Sequence, residues 1–307
     1  MCVCARLAAC CVGIIMPNPF QDTMYDPDED ARLIAEVLGG SKSSLEQLLK
    51  RHQHYIYNIA SKMLLRPADA ENATQEVLIK VVTHLAQFRG ESSFRTWLYR
   101  ITFNHLLKMK ARPMEQAITT FEAYGEQLDN IPDEDPNHAE QLEQKELIRE
   151  VNLGCMLGML LCLDRKQRAV YILGEVFEAS HRIGADILAI TPANFRKRLE
   201  RARRDLYHFM NHKCGLINTA NPCRCARKTA GFVKAGWVDP KVRKFNADYV
   251  HTIREVIDSK SEALETLMAT EYQALFQKTP FHEKAHHEAL LRAVLVDQNV
   301  RSLFNLN

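Results

Sequence analysis

The chain has 307 residues, enough for a proper core and two or three domains. Hydrophobic residues make up 46% and charged residues 25%, the balance of an ordinary soluble protein, and no apolar run approaches the roughly 18–20 residues of a membrane span. The net charge of +2 is uninformative alone, but basic residues cluster at 95–112 and 196–204, with Glu115, Glu122, Glu126, Asp129, Asp133, Glu134, Asp135, Glu140 and Glu143 between them. Two basic blocks around an acidic connector suggest two separate contacts with a polyanion.

Residues 1–25 read as a disordered leader. "LAAC" superficially resembles a lipoprotein cleavage site, but the apolar run "CVGIIM" follows its cysteine, which is the wrong order for a signal peptide. Met16 or Met24 is a plausible true start. The nine cysteines lack the regular spacing of a secreted disulfide framework, so the expected compartment is a reducing cytoplasm.

From 26 onwards nearly everything has helical period. "DEDARLIAEVLGG" opens with acids and stops at Gly39-Gly40. After Ser41 a second helix carries Leu45, Leu48, Leu49, Tyr55, Ile56 and Ile59. A third starts at Pro67, suited to a first helical turn, and buries Ala70, Ala73, Val77, Val81, Leu85 and Phe88 while showing Asp69, Asn72, Gln75, Glu76 and Lys80. After "RGESS" comes "FRTWLYRITFNHLLKMKAR". Here Phe94, Leu98, Ile101 and Met109 share one side and Tyr99, Phe103 and Leu106 another, both expected in the core. Trp97, Arg100, Asn104 and Lys108 follow at three, four and four residues as a third stripe. An indole, an amide and two cations suit a single nucleic-acid strand, by stacking and phosphate neutralisation.

Residues 113–140 carry three prolines among acids with weak periodicity and read as a linker. A helical unit resumes over 141–210. Within it "HRIGADILAITPANFRKRLERARRDL" has the pattern of a helix-turn-helix. Ile183, Ile187 and Leu188 form the inner face of its first helix. Thr191 caps the second, with Pro192 at the next position and Phe195, Leu199, Ala202 and Leu206 facing inward. Asn194, Arg196, Lys197, Arg201 and Arg204 are left outward, a guanidinium-rich face that fits a major groove. A merely solvated basic face is the bland alternative.

The remainder, 211–307, is a cysteine-bearing extension with helical period. Cys214, Cys223 and Cys225 with His212 could complete a tetrahedral zinc site; a redox-sensitive thiol group and ordinary cysteines are the alternatives. Cys155 and Cys162 read as buried core. Val250, Ile253, Val256, Ile257, Leu264, Leu267 and Met268 read as core too, and the His282, His286 and His287 cluster as a solvated face.

The segments "AENATQEVLIKVVTHLAQF", "SSFRTWLYRITFNHLLKMKAR" and the helix-turn-helix after "LDRKQRAVYIL", in this order over about 26–210, resemble the sigma-70 family of bacterial RNA polymerase initiation factors, most closely its short extracytoplasmic-function (ECF) type. The resemblance implies an all-α fold: a region 2-like domain (26–112), an acidic linker (113–140), a region 4-like helix-turn-helix domain (141–210) and the helical extension. It implies that Asp69, Asn72, Gln75, Glu76 and Lys80 dock on the clamp helices of core RNA polymerase. Arg89, Ser93, Trp97, Arg100, Asn104 and Lys108 would capture and melt the −10 promoter element. Asn194, Arg196, Lys197, Arg201 and Arg204 would read the −35 element, and the linker would thread towards the RNA exit path. Asn72 stands where the family usually has an acid. Ile183-Gly184 stand where Glu-Ile is common, so the first helix of the helix-turn-helix is expected to pack loosely. Further partners implied are promoter DNA and an anti-sigma factor, with no membrane and no required cofactor. The competing readings are a polymerase-independent helix-turn-helix regulator with a metal- or redox-sensing tail, and a metal-dependent hydrolase. No paired carboxylates, phosphate loop or nucleophile–base set supports the hydrolase.

Overall fold

The computed structural model describes Phe20 and residues 25–111, 113–118, 120–241, 284–298 and Val300. The expectations for the leader and its four cysteines, for Arg112, for the apolar stripe from Val250 to Met268, and for the side chains of 281–288 lie outside the described residues.

Local chemistry sets the ends of the first helices. In α1 (Pro27–Leu38) the Asp26 carboxylate caps the free Asp28 N–H at 2.9 Å, and Gly40, at φ +92°, lets the chain turn away. Helix α2 (Lys42–Leu64) is capped by Ser41, whose hydroxyl accepts from the Ser44 N–H. Pro67 opens α3 (Pro67–Thr83), and a 3₁₀ turn (Leu85–Gln87) leads towards α4 (Phe94–Lys108). These four helices enclose one core in which Val37, Ile56, Ile59, Leu78, Tyr99 and Phe103 are fully buried. Ile101 and Met109, expected in it, are only half-buried at its margin, as is Phe88.

One polar network is buried with this core. Asp30 of α1 accepts from the Tyr25 hydroxyl (2.6 Å) and from Arg51 Nε (2.9 Å), and lies 2.9 Å from His52 Nε2. Burial alone would raise the Asp30 pKa, but hydrogen bonds from His52, Tyr25 and Arg51 outweigh it and hold the carboxyl below its ordinary value. Burial lowers the His52 pKa despite the same partner.

The 113–140 stretch is not an extended linker. It forms α5 (Pro113–Ala117), α6 (Phe121–Asn130) and the start of α7 (His138–Glu143). Thr120 caps α6, and Tyr124, Leu128 and Ile131 recur at four and three residues to bury one face, a periodicity masked by the surrounding acids.

The second unit comprises α8 (Lys145–Leu161), α9 (Arg165–Tyr171), a π-helical turn (Ile172–Val176), α10 (His181–Ile187) and α11 (Pro192–Lys213). It is stapled to the first unit by Arg168, which is buried. Its guanidinium donates to the carbonyls of Leu160 (2.9 Å), Leu161 (3.2 Å) and Leu163 (3.0 Å) and to that of Met63 in α2. Arg165 and Arg168 share the Glu115 carboxylate, at 2.5 and 3.0 Å. The carbonyls left free at two helix ends are thereby satisfied by one side chain.

The extension adds α12 (Cys225–Lys234), packed on α8, and α13 (Lys284–Val296), which packs on α2 and α3 with Leu290, Leu291 and Val294 buried.

Candidate nucleic-acid interface

The helix-turn-helix forms where the sequence indicates. Ser180 caps α10 and Thr191 caps α11, each hydroxyl accepting from the backbone N–H three residues on (3.3 and 3.2 Å). Ala189, at φ +51°, turns the chain between them. Phe195, Leu199, Ala202 and Leu206 are buried, whereas Arg196, Lys197, Arg201 and Arg204 are exposed and Asn194 half-exposed. Buried Glu175 on the π-helical turn receives Arg203 Nε at 2.6 Å and so fixes α11 against the unit's core.

Two expectations for α10 fail. Ile183 is 38% exposed; Ile187 is buried as expected and Leu188 partly so, but Gly184 and Ala185 complete the inner face in place of Ile183. Nor is the helix loose. A Cβ on Gly184 would lie 2.4 Å from the Phe195 ring, so the glycine is what allows the two helices to touch.

Helix α4 presents a more guarded surface. Ser93 is its N-cap, accepting from the Thr96 N–H at 3.2 Å, and Arg89 is exposed in the preceding loop. The Trp97 ring stacks on Phe94 (centroids 5.7 Å apart) and leans on Phe88 (5.5 Å), leaving one part of the indole outward. Asn104 and Lys108 are exposed. Arg100 is engaged: Nη2 lies 2.7 Å from Asp186 Oδ1 on α10, which packs across α4. Of the basic residues in this block, Arg95 turns inward, its guanidinium 3.5 Å from the Tyr25 ring centroid. Asp186 is absent from any sequence expectation, since nothing local relates it to a residue 86 positions earlier.

On α3, Asn72, Glu76 and Lys80 are exposed and Asp69 and Gln75 half-buried. Glu76 Oε2 lies 3.3 Å from His105 Nε2 of α4, and Lys80 Nζ contacts the other ring nitrogen. These contacts fix the α3 face relative to α4.

The acidic stretch is clasped. Lys213 of α11 pairs with Asp129 (2.5 Å), and α12 supplies Lys228 to Asp133 (3.4 Å) and Lys234 to Glu134 (2.6 Å). Lys228 is buried and also donates to the Ile131 carbonyl at 2.5 Å. Gly231 of α12 lies so close to Ile131 and Pro132 that a Cβ would meet both at 2.6 Å.

Of the expected metal set, Cys214 and Cys223 are joined by a backbone bridge and Cys225 opens α12, while His212 stands apart. Its ring is exposed and tilted against that of His208 (centroids 4.2 Å apart), facing a cavity beside Phe121 and Glu122. Among the described residues no three His, Cys, Asp or Glu side chains stand in a ligating arrangement, and no helix is long and apolar enough to cross a membrane.

A recognition helix with a capped N-terminus and outward guanidinium groups, joined to an aromatic–basic helix on a separate bundle, defines a two-part helical nucleic-acid-binding protein. Residues 48–112 match sigma-70 region 2 and residues 153–206 match sigma-70 region 4. The chain belongs to the sigma-70 family of RNA polymerase sigma factors, ECF type, a family without enzymatic activity, with a C-terminal segment beyond the matched regions. It is 33% identical to RNA polymerase sigma-H factor of Pseudomonas aeruginosa over 33% of this chain and 54% of that one. It is 28% identical to ECF RNA polymerase sigma factor SigE of Mycolicibacterium smegmatis over 54% of this chain and 62% of the relative. It is also 28% identical to ECF RNA polymerase sigma-E factor of Escherichia coli K12, over 57% and 90%. The chain thus spans about half to two thirds of the first two relatives' length.

Proposed function

We propose that this chain binds core RNA polymerase and directs it to promoters carrying matched −10 and −35 elements. The α3 face (Asp69, Asn72, Gln75, Glu76, Lys80) docks on the polymerase clamp helices. Arg89, Ser93, Trp97, Arg100, Asn104 and Lys108 hold the unwound −10 strand by stacking and charge, and Asn194, Arg196, Lys197, Arg201 and Arg204 read the −35 duplex. The carrying observation is α11. Its apolar stripe faces inward while Arg196, Lys197, Arg201 and Arg204 face outward, behind a capped N-terminus that itself favours phosphate. Because α10 lies on α4, the two DNA-reading helices share one compact body. Reaching two separated promoter elements requires the Arg100–Asp186 contact to open and the acidic stretch to leave α12. An anti-sigma protein that holds α10 on α4 would keep the factor silent. The compartment is the cytoplasm, where polymerase and promoter DNA are.

The test is transcription in vitro with purified core polymerase on a promoter library, alongside polymerase pull-down. Glu76→Arg should abolish both pull-down and initiation. If regulation persists unchanged in that variant, the protein is a polymerase-independent helix-turn-helix regulator and this reading is wrong.

A further inference from the structure

The acidic stretch lies on the extension as a peptide lies on a receptor. Between α6 and α7 residues 131–137 are non-helical. Helix α12 holds 131–135 by backbone and side chain together. The Glu134 N–H donates to the Arg227 carbonyl at 2.9 Å, and Lys228 Nζ donates to the Ile131 carbonyl at 2.5 Å. Successive carboxylates each have a cation of α12: Asp133 has Lys228 (3.4 Å), Glu134 has Lys234 (2.6 Å) and Asp135 has Arg227 (3.8 Å). Gly231 is the point of closest approach, where a Cβ would meet the Ile131 side chain and the Pro132 carbonyl. Beyond α12 the chain turns at Gly236 (φ +74°) and lays Trp237 flat on Tyr124 of α6, centroids 6.1 Å and planes 6° apart. Phe232 meets the Trp237 ring edge-on at 5.1 Å, and α12 itself packs on α8 of the second unit.

These contacts differ in weight. The Lys234 and Arg227 pairs are exposed, and pairs of that kind contribute little. Lys228 is buried, so its ammonium depends on the Ile131 carbonyl and the Asp133 carboxylate in place of water. Charge alone would not fix a register, whereas here a backbone donor, a backbone acceptor and the close fit at Gly231 do. We propose that α12 and the turn to Trp237 form a docking site for one acidic, extended segment, the chain's own residues 131–135, and that this contact latches the connection between the two DNA-reading units. Latched, the stretch lies along α12 beside the second unit. Released, residues 131–137 can extend to about 25 Å. The latch thus limits how far the second unit moves from the first, separately from the Arg100–Asp186 contact between α4 and α10. Its effect on initiation rests on the promoter-directing reading, but the latch itself is measured without polymerase or DNA.

Amide hydrogen exchange of the full, reduced chain reads the latch directly. The 131–137 stretch should be protected, because the Glu134 N–H is bonded. Lys228→Ala should speed exchange there roughly 10–100-fold, the range for losing a hydrogen bond to a charged group, while α2 and α11 keep their protection. Lys234→Glu, at an exposed position, should speed it only about 2–5-fold, and adding Glu134→Lys should restore it by reversing the pair. If Lys228→Ala also loses protection in α11, the Lys234 and Glu134 variants decide the matter. In small-angle X-ray scattering, Lys228→Ala combined with Asp186→Ala should enlarge the radius of gyration beyond the value for Asp186→Ala alone. The same pair should initiate more transcription with core polymerase than Asp186→Ala does. An unprotected 131–137 stretch in the parent chain, protection indifferent to both Lys228→Ala and Lys234→Glu, or lost protection without added expansion would each overturn the proposal. Exchange and scattering as expected, with no chain able to initiate, would sink the promoter-directing reading and leave the latch standing.

Discussion

The two helices assigned to DNA are prepared in opposite ways. Helix α11 offers Arg196, Lys197, Arg201 and Arg204 to solvent, with its packing face fully buried. Helix α4 has Trp97 leaning on Phe88 and Phe94, Arg95 turned inward, and Arg100 paired with Asp186 of α10. The difference fits what each is proposed to hold. A duplex groove can be met by a rigid, exposed basic ridge, whereas single-strand capture needs aromatic surface that would be a liability if left open in water. One region is ready to bind, and the other is covered by its neighbour.

That contrast can be broken at several points. The largest expected effect is on the four-helix bundle behind α4. Asp30→Ala strips the buried network and should destabilise that bundle by about 3–5 kcal/mol, measured by urea unfolding. The wild-type bundle should also weaken on acidification. Asp30, held below its ordinary pKa, contributes stability that is present above that ordinary value and lost as pH falls through the folded one. His52, kept neutral by burial, adds a penalty once the unfolded chain begins to protonate below its ordinary histidine pKa. Stability rising as pH falls from 7 to 5 would refute the His52 assignment, and stability that falls no further below the ordinary aspartate pKa would refute that of Asp30.

Next in size, Arg196→Ala combined with Arg201→Ala should reduce −35 duplex binding about 100-fold and flatten its salt dependence, leaving single-strand binding by α4 intact. Equal loss in both assays would mean that α11 is not a separate reader. Gly184→Val forces a side chain into the Phe195 ring and should cost the helix-turn-helix about 1–3 kcal/mol, seen as a lower unfolding midpoint and weaker −35 binding. The smallest effect is expected from Asp186→Ala. It removes an exposed pair of the kind worth less than about 1 kcal/mol, so single-strand −10 binding should rise only about 2–5-fold. A fall would show that α10 supports α4 rather than covering it.

Most helix starts were legible because they depend on residues adjacent in the chain. Ser41, Pro67, Thr191 and Pro192 act on the backbone within a turn, and the inward stripe of α11 needs only helical period. The middle stretch was harder to read, because its acids and prolines hid the apolar spacing of Tyr124, Leu128 and Ile131 that makes α6 a packed helix. Gly184 was misread for a related reason: a missing side chain says nothing of the ring that needs its space.

The sequence by itself determined an all-helical chain, the two basic helices and the family to which they belong. Only the tertiary structure decided that Asp186 would occupy Arg100, that Lys228 and Lys234 would clasp the acidic stretch, and that Arg168 would join the two units. Capping and periodicity are set within a few residues. A partner some sixty to a hundred positions away is chosen by how the helices pack, and no local pattern encodes that choice.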